Sequence, residues 1–171
     1  MEIISNQKRS VVYYDKNKNI FIKKFKPKFS AKLKYFFRLR KYPGDNFYFI
    51  SSELTKLNIS TVQVLAFSHY SVTTKKLFGI PLNQYILDHP SSIILNKFIE
   101  IICTLLENGI YCGDLSYDNF FVVNEKIYAI DLEDYRKVKF LKRDNKEAIR
   151  RMKGKVDDWV IEEIKKRLKI Q

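Results

Sequence analysis

Between Gly109 and Asp131 the chain reads GIYCGDLSYDNFFVVNEKIYAID, and no other stretch restricts its possible folds as much. Asp114, Asn119 and Asp131 stand among apolar runs that read as buried strand, separated by five and then twelve positions. A single Asp or Asn at a turn is ordinarily a cap or an Asx turn. That explanation does not cover three polar groups spaced in this way, each next to a run of strand character. The preceding segment, Ser91–Gly109, is the clearest helical pattern in the sequence. Apolar residues recur at Ile94, Phe98, Ile101 and Leu105 and at Leu95, Ile99, Cys103 and Leu106, and Gly109 supplies a stop. Phe120–Val123 and Lys126–Ile130 then read as a short hairpin around Asn124-Glu125.

Upstream, Ser10–Tyr14 and Ile20–Phe25 predict a second hairpin, with Phe21, Lys23 and Phe25 on one face and Ile22 and Lys24 on the other. From Lys24 to Lys41 there are eight cations and no acid, with Phe29, Leu33, Phe36, Phe37 and Leu39 interleaved at helical spacing. Pro43-Gly44 breaks that pattern, and Asp45 is the expected cap of a helix over about 46–57. Val62–Phe67 and Val72–Phe78 read as a strand pair. Gly79-Ile80-Pro81-Leu82 reads as a turn into Asn83–Leu87, and a last amphipathic helix is expected over about 156–170. With no repeat and no Pro/Ser-rich linker, residues 1–171 form one expected domain: a β-rich half (1–80) and a helical half (81–171).

Hydrophobic residues make up 46% of the 171, enough for a core. Glycine (5) and proline (4) are scarce, which argues against folds built on glycine-rich phosphate loops. Cys103 and Cys112 lie in apolar surroundings without a leader sequence, so reduced thiols and a cytoplasmic location are expected. No run reaches the 18 or so apolar residues of a membrane span. His69 and His89 lack neighbours at metal-ligand spacing, which argues against zinc. The net charge of +13 favours phosphate-rich partners such as nucleic acid, anionic lipid or a phosphorylated glycan.

The order helix, Cys112-Gly113-Asp114-Leu115-Ser116-Tyr117-Asp118-Asn119, hairpin, Asp131 resembles the protein-kinase-like superfamily in its small bacterial sugar-kinase branch. The lipopolysaccharide core heptose kinase family is the nearest likeness, with Cys112 where His is usual. The specific part spans about 93–135. The resemblance implies an α+β, protein-kinase-like two-lobe fold with a small antiparallel β N-lobe and a reduced, mainly helical C-lobe. It implies ATP-dependent phosphorylation of a sugar hydroxyl, with ATP and Mg²⁺ as cofactors. Asp114 becomes the base that orients the acceptor and receives its proton. Asn119 and Asp131 become oxygen ligands of Mg²⁺, a hard cation. Lys23 becomes the phosphate clamp, with Lys24 as its alternative. Glu53 is the candidate carboxylate partner of that lysine, although a stricter alignment points to Asn46 or Phe47. Gly79 falls in the linker whose backbone would meet adenine.

The sequence also departs from the pattern. SNQKRS (5–10) stands where glycines are expected, leaving Lys8 and Arg9 to supply charge. Leu-Glu follows Asp131 in place of Phe-Gly, and 40 residues remain. These departures keep open a minimal Ser/Thr protein kinase, or an inactive kinase-like binding module. The basic blocks 24–41 and 136–155 fit an anionic glycan or lipopolysaccharide core as partner. Peripheral contact with an anionic membrane on its cytoplasmic face is also expected; a nucleic acid is not.

Overall fold

A computed structural model of the chain describes residues 1–89, 92–138 and 145–170. It opens with β1 (Glu2–Asn6), β2 (Ser10–Asp15) and β3 (Ile20–Phe25). Asp15 closes the β2–β3 turn, its Oδ1 accepting from the N–H groups of Asn17 at 3.0 Å and Lys18 at 3.2 Å. Then come α1 (Phe29–Phe36), α2 (Pro43–Lys56), β4 (Ser60–Thr61), β5 (Val64–Ser68), β6 (Ser71–Lys75), β7 (Ile80–Pro81), α3 (Leu82–Asp88) and α4 (Ser92–Glu107). The remainder comprises β8 (Ile110–Cys112), β9 (Phe120–Val123), β10 (Lys126–Ala129), β11 (Tyr135–Lys137), α5 (Asn145–Arg150) and α6 (Asp158–Leu168).

The architecture is mixed α+β. The first sheet runs β1-β2-β3-β6-β5 and is antiparallel throughout. Its register aligns Val12, Lys23 and Val72 in one row across three strands. The second sheet runs β4-β10-β9-β7, with β4 parallel to β10 and the other pairs antiparallel. β8 and β11 form a separate antiparallel pair that sets Cys112 opposite Tyr135. Asn124 and Glu125 both take positive φ (47° and 59°), the twist a two-residue hairpin requires.

The core lies around α4, where Phe98, Ile99, Ile102 and Leu105 are fully buried. α6 packs its buried Val160, Ile161 and Ile164 side against α4. Phe47, Ile50 and Leu54, spaced for one helix face, bury α2 against the first sheet. α2 begins earlier than the sequence predicts, and Asp45 does not cap it. Pro43 occupies its first turn, where a missing N–H costs nothing, and no side chain caps the end. Asp45 is bonded instead to His69 Nδ1 at 2.8 Å. Among the described residues no helix is long and apolar enough to cross a membrane. Part of the basic block 136–155, residues 139–144, and Ser91 of the expected helix lie outside the described residues.

Gly44 sits where α2 meets the β5–β6 turn. A Cβ there would stand 1.9 Å from the Ser68 carbonyl oxygen and 2.6 Å from that of Ser71, both rigid backbone. Gly44→Ala is expected to cost about 3 kcal/mol or more in urea denaturation, because the helix must withdraw from the sheet to relieve the clash.

Candidate functional site

Phe98 anchors the region. Its buried ring meets Tyr117 at 5.0 Å and Phe120 edge-on at 5.1 Å. Together with buried Leu115, these contacts fix the loop that leaves β8 and enters β9. The Tyr117 hydroxyl extends the anchorage by donating to Asp157 Oδ2 at 2.9 Å.

Within this loop the Asp114 peptide is held by three hydrogen bonds. Its N–H donates to Cys112 Sγ at 3.4 Å, and its carbonyl accepts from the Cys112 thiol at 3.3 Å and from Asn119 Nδ2 at 2.8 Å. The Asn119 carbonyl in turn accepts from the N–H of Ile130 at 3.0 Å, which ties the loop to the residue before Asp131. Asn119 therefore ties the backbone at Asp114 to the backbone just before Asp131, and with its NH₂ engaged its Oδ1 remains an acceptor. Burial pushes the Cys112 thiol up to about 12, and its role is to pack and bond the loop. Asp118 anchors the loop from outside, accepting from Asn83 Nδ2 at 2.5 Å.

Asp131 ends the hairpin in the left-handed region, with φ 55° and ψ 46°. That conformation costs a residue with a Cβ about 1 kcal/mol, so surrounding contacts must hold it. Its half-exposed carboxylate pairs with Lys23 Nζ at 2.9 Å, and the same amine lies 2.5 Å from Glu133 Oε1. The Lys23 and Glu133 side chains are each about five-sixths buried (15% and 16% exposed). Burial disfavours the ammonium, but the Glu133 and Asp131 charges outweigh it, and the Lys23 pKa is raised. Burial lifts the Glu133 carboxyl above its ordinary range, with Lys23 opposing the shift.

Two cavities meet these groups. Lys23 and Asp131 stand in a cleft of about 330 Å³ between the first sheet and the β9–β10 hairpin. Val12, Phe21, Leu77, Phe121 and Ile130 give it apolar walls, and Ser5 and Gln7 of the glycine-free β1–β2 segment also line it. The slot is thus apolar along its walls and carries the Lys23–Asp131 ion pair among its lining groups. The second cleft, of about 430 Å³, is polar and lined by Asp114, Asp134, Arg136, Glu147 and Arg151. Lys155 Nζ sits 3.0 Å from Asp114 Oδ1. Arg151 Nε donates to Glu147 Oε1 at 2.8 Å, and bonds from Arg150 and then Arg151 hold the Glu147 carboxyl down to about 2. Arg151 Nη1 lies 3.8 Å from where a Cβ on Gly113 would stand, an ordinary van der Waals contact.

The structure thus brings Asp114, Asn119, Asp131 and Lys23 into one region, and it separates Glu53 from them. Glu53 accepts from Lys56 Nζ at 2.6 Å and from Lys137, and those bonds hold its carboxyl below the usual value. The expected Lys23–Glu53 pair is therefore corrected to Lys23–Glu133. Asn46, one of the two positions singled out by the stricter alignment, faces the segment that holds Glu133. Its Nδ2 donates to the Glu133 carbonyl at 3.1 Å and the Tyr135 carbonyl at 2.8 Å. With an amide at this helix position, the carboxylate comes from the 3-10 turn Leu132–Asp134 between β10 and β11. Lys24 is exposed and lies over the Tyr13 ring. Gly79 is explained by packing, since a Cβ there would stand 2.6 Å from Val123 Cγ2 and 2.7 Å from the Val122 carbonyl; Leu77 lines the cleft in its place.

Among the described residues no three His, Cys, Asp or Glu side chains converge on a metal position. A hard cation takes oxygen ligands, and three oxygen-bearing side chains belong to this region. They are the Asn119 amide, the Asp131 carboxylate and Glu133 Oε2, which is buried without a hydrogen-bond partner. No protein-family model matches the chain, and no curated protein matches it.

Sequence reasoning missed Glu133, Arg151 and Lys155. The acid two positions after Asp131, where the resembled pattern has glycine, was the available signal for Glu133. Nothing local marks Lys155, which reaches Asp114 across 41 positions through the fold.

Lys23→Met leaves Glu133 with its burial and without its cation, and is expected to cost about 2 kcal/mol at neutral pH. Because the Glu133 pKa is raised in the folded state, its contribution is full below the ordinary carboxyl value and fades as pH rises through the raised one. The variant therefore regains stability as the pH falls toward about 4.5, and adding Glu133→Gln restores most of the loss at pH 7, both readable by chemical denaturation.

Proposed function

We propose that this chain is an ATP-dependent phosphotransferase of protein-kinase-like, two-lobe architecture, acting on a sugar hydroxyl. A heptose of the lipopolysaccharide inner core is the acceptor best suited to this reading, which implies a cytoplasmic enzyme. The observation that carries it is the position of Asn119, bonded to the Asp114 carbonyl on one side and to the Ile130 N–H on the other. The backbone that carries the base and the backbone beside the cation ligand are thereby tied through one residue, and positioning of this kind is what phosphoryl transfer asks for.

In this reading the adenine ring takes the apolar walls at Phe21, Leu77 and Phe121, and the Lys23 ammonium meets the phosphates. Mg²⁺, when bound, neutralises phosphate charge; Asn119 Oδ1, Asp131 and Glu133 Oε2 are the oxygens that would hold it. The acceptor lies in the polar cleft, where Arg151 and Lys155 suit an anionic substituent and Asp134 and Glu147 suit hydroxyl donors. As the acceptor oxygen bonds to the γ-phosphorus, the bond from that phosphorus to the bridging oxygen breaks. ADP leaves with the electron pair, and Asp114 receives the hydroxyl proton. A second reading, a nucleotide-binding module without transfer, is favoured by one observation: the β1–β2 turn offers Gln7, Lys8 and Arg9 in place of glycines whose amides would grip phosphate.

Labelled ATP, Mg²⁺ and purified lipopolysaccharide core test the proposal, with general protein substrates as the comparison. Label is expected in the glycan, and Asp114→Asn is expected to lose about 10²–10⁴-fold in rate. Mg-ATP at about 100 times its Kd is expected to add about 2.7 kcal/mol to the stability of both forms. Stabilisation without transfer selects the binding module, and label in protein selects a protein kinase. Neither stabilisation nor transfer removes the nucleotide reading altogether.

A further inference from the structure

We infer that α1 and the turn after it form a docking surface for an anionic lipid bilayer. The helix attaches to the body through Tyr35, which is buried and packs against Tyr42 at 5.3 Å and Tyr70 at 6.5 Å. Phe29, Leu33 and Phe36, spaced by four and three positions, share a face that points away from that attachment. With Phe37 and Leu39 they make five large apolar side chains, each between 43% and 78% exposed, within eleven consecutive residues. A helix that only covered a core would bury this stripe, and here it is presented outward.

The charges around the stripe identify its partner. Residues 26–41 hold seven Lys and Arg and no acid, and Lys28, Lys32, Lys34, Arg38 and Lys41 are exposed. Protruding Phe and Leu ringed by cations match the two layers of a bilayer surface, acyl chains beneath anionic headgroups. A second copy of the chain would bring the same cations face to face. Single-stranded nucleic acid would use the phenylalanines for stacking but gain nothing from Leu33 and Leu39.

The surface is joined to the polar cleft. The turn after α1 ends at Arg40, whose Nη2 lies 3.7 Å from Asp134, a residue lining that cleft. Docking would therefore hold the cleft mouth near the headgroup layer. The inference stands on the surface alone and holds whether or not the protein transfers phosphate.

Vesicle flotation tests it, with phosphatidylcholine alone and with about 30% phosphatidylglycerol, in about 0.1 M and about 0.5 M NaCl. The protein is expected to float with the anionic vesicles at low salt and to lose most of that binding at high salt. Phe36→Ser with Phe37→Ser is expected to weaken partitioning about a hundredfold. These rings are exposed and contact each other edge-on, so thermal unfolding should be unchanged. Lys32→Glu with Lys34→Glu should weaken binding about tenfold or more. The inference is overturned by absence of binding to anionic vesicles, or by binding that ignores the serine pair. It is equally overturned if the serine pair converts an oligomer to a monomer, or if an oligonucleotide binds through the same phenylalanines more tightly than the vesicles do.

Discussion

One ammonium group holds the two halves of this molecule to a common purpose. Lys23 belongs to the first sheet, whereas Asp131 and Glu133 follow the hairpin of the second, and all three converge with most of the lysine and Glu133 removed from water. Removing two such charges from water is costly unless each finds a partner, so the arrangement fixes how the sheet faces the hairpin. The cleft between them follows from that constraint. Its apolar walls come from strands whose register is set on each side, and its polar end is the ion cluster itself.

Asn119 supplies the second constraint, through hydrogen bonds made by its amide and by its backbone. An amide is suited to the post because it donates and accepts at once, holding a loop carbonyl with its nitrogen and keeping its oxygen as an acceptor. The aromatic packing at Phe98, Tyr117 and Phe120 keeps this exchange in register from beneath. Buried apolar residues thus position the polar ones, and the polar ones define the clefts.

Much of the framework was legible in the sequence because local chemistry dictates it. Both hairpins follow from alternating apolar residues around Asp, Asn and charged turns, and α4 follows from its heavy apolar periodicity. The resemblance singled out Lys23 over Lys24, and the alternation of strand faces explains why only one of two adjacent lysines looks inward. The start of α2 was misread because Pro-Gly was taken as a break, while a proline in a first turn also opens helices. Glu53 was misassigned for a different reason: a carboxylate on a helix says nothing about which of 32 cations will reach it. Long-range pairs such as Lys155 with Asp114 and Lys23 with Glu133 depend on tertiary geometry, which no short window encodes.

The left-handed backbone at Asp131 limits which side chains can stand there. Asparagine tolerates that conformation nearly as well as aspartate, and far better than alanine or a β-branched residue. Asparagine at 131 would keep the path of the hairpin while withdrawing one of the two charges that face Lys23, so backbone shape and local charge can be altered separately at this one position.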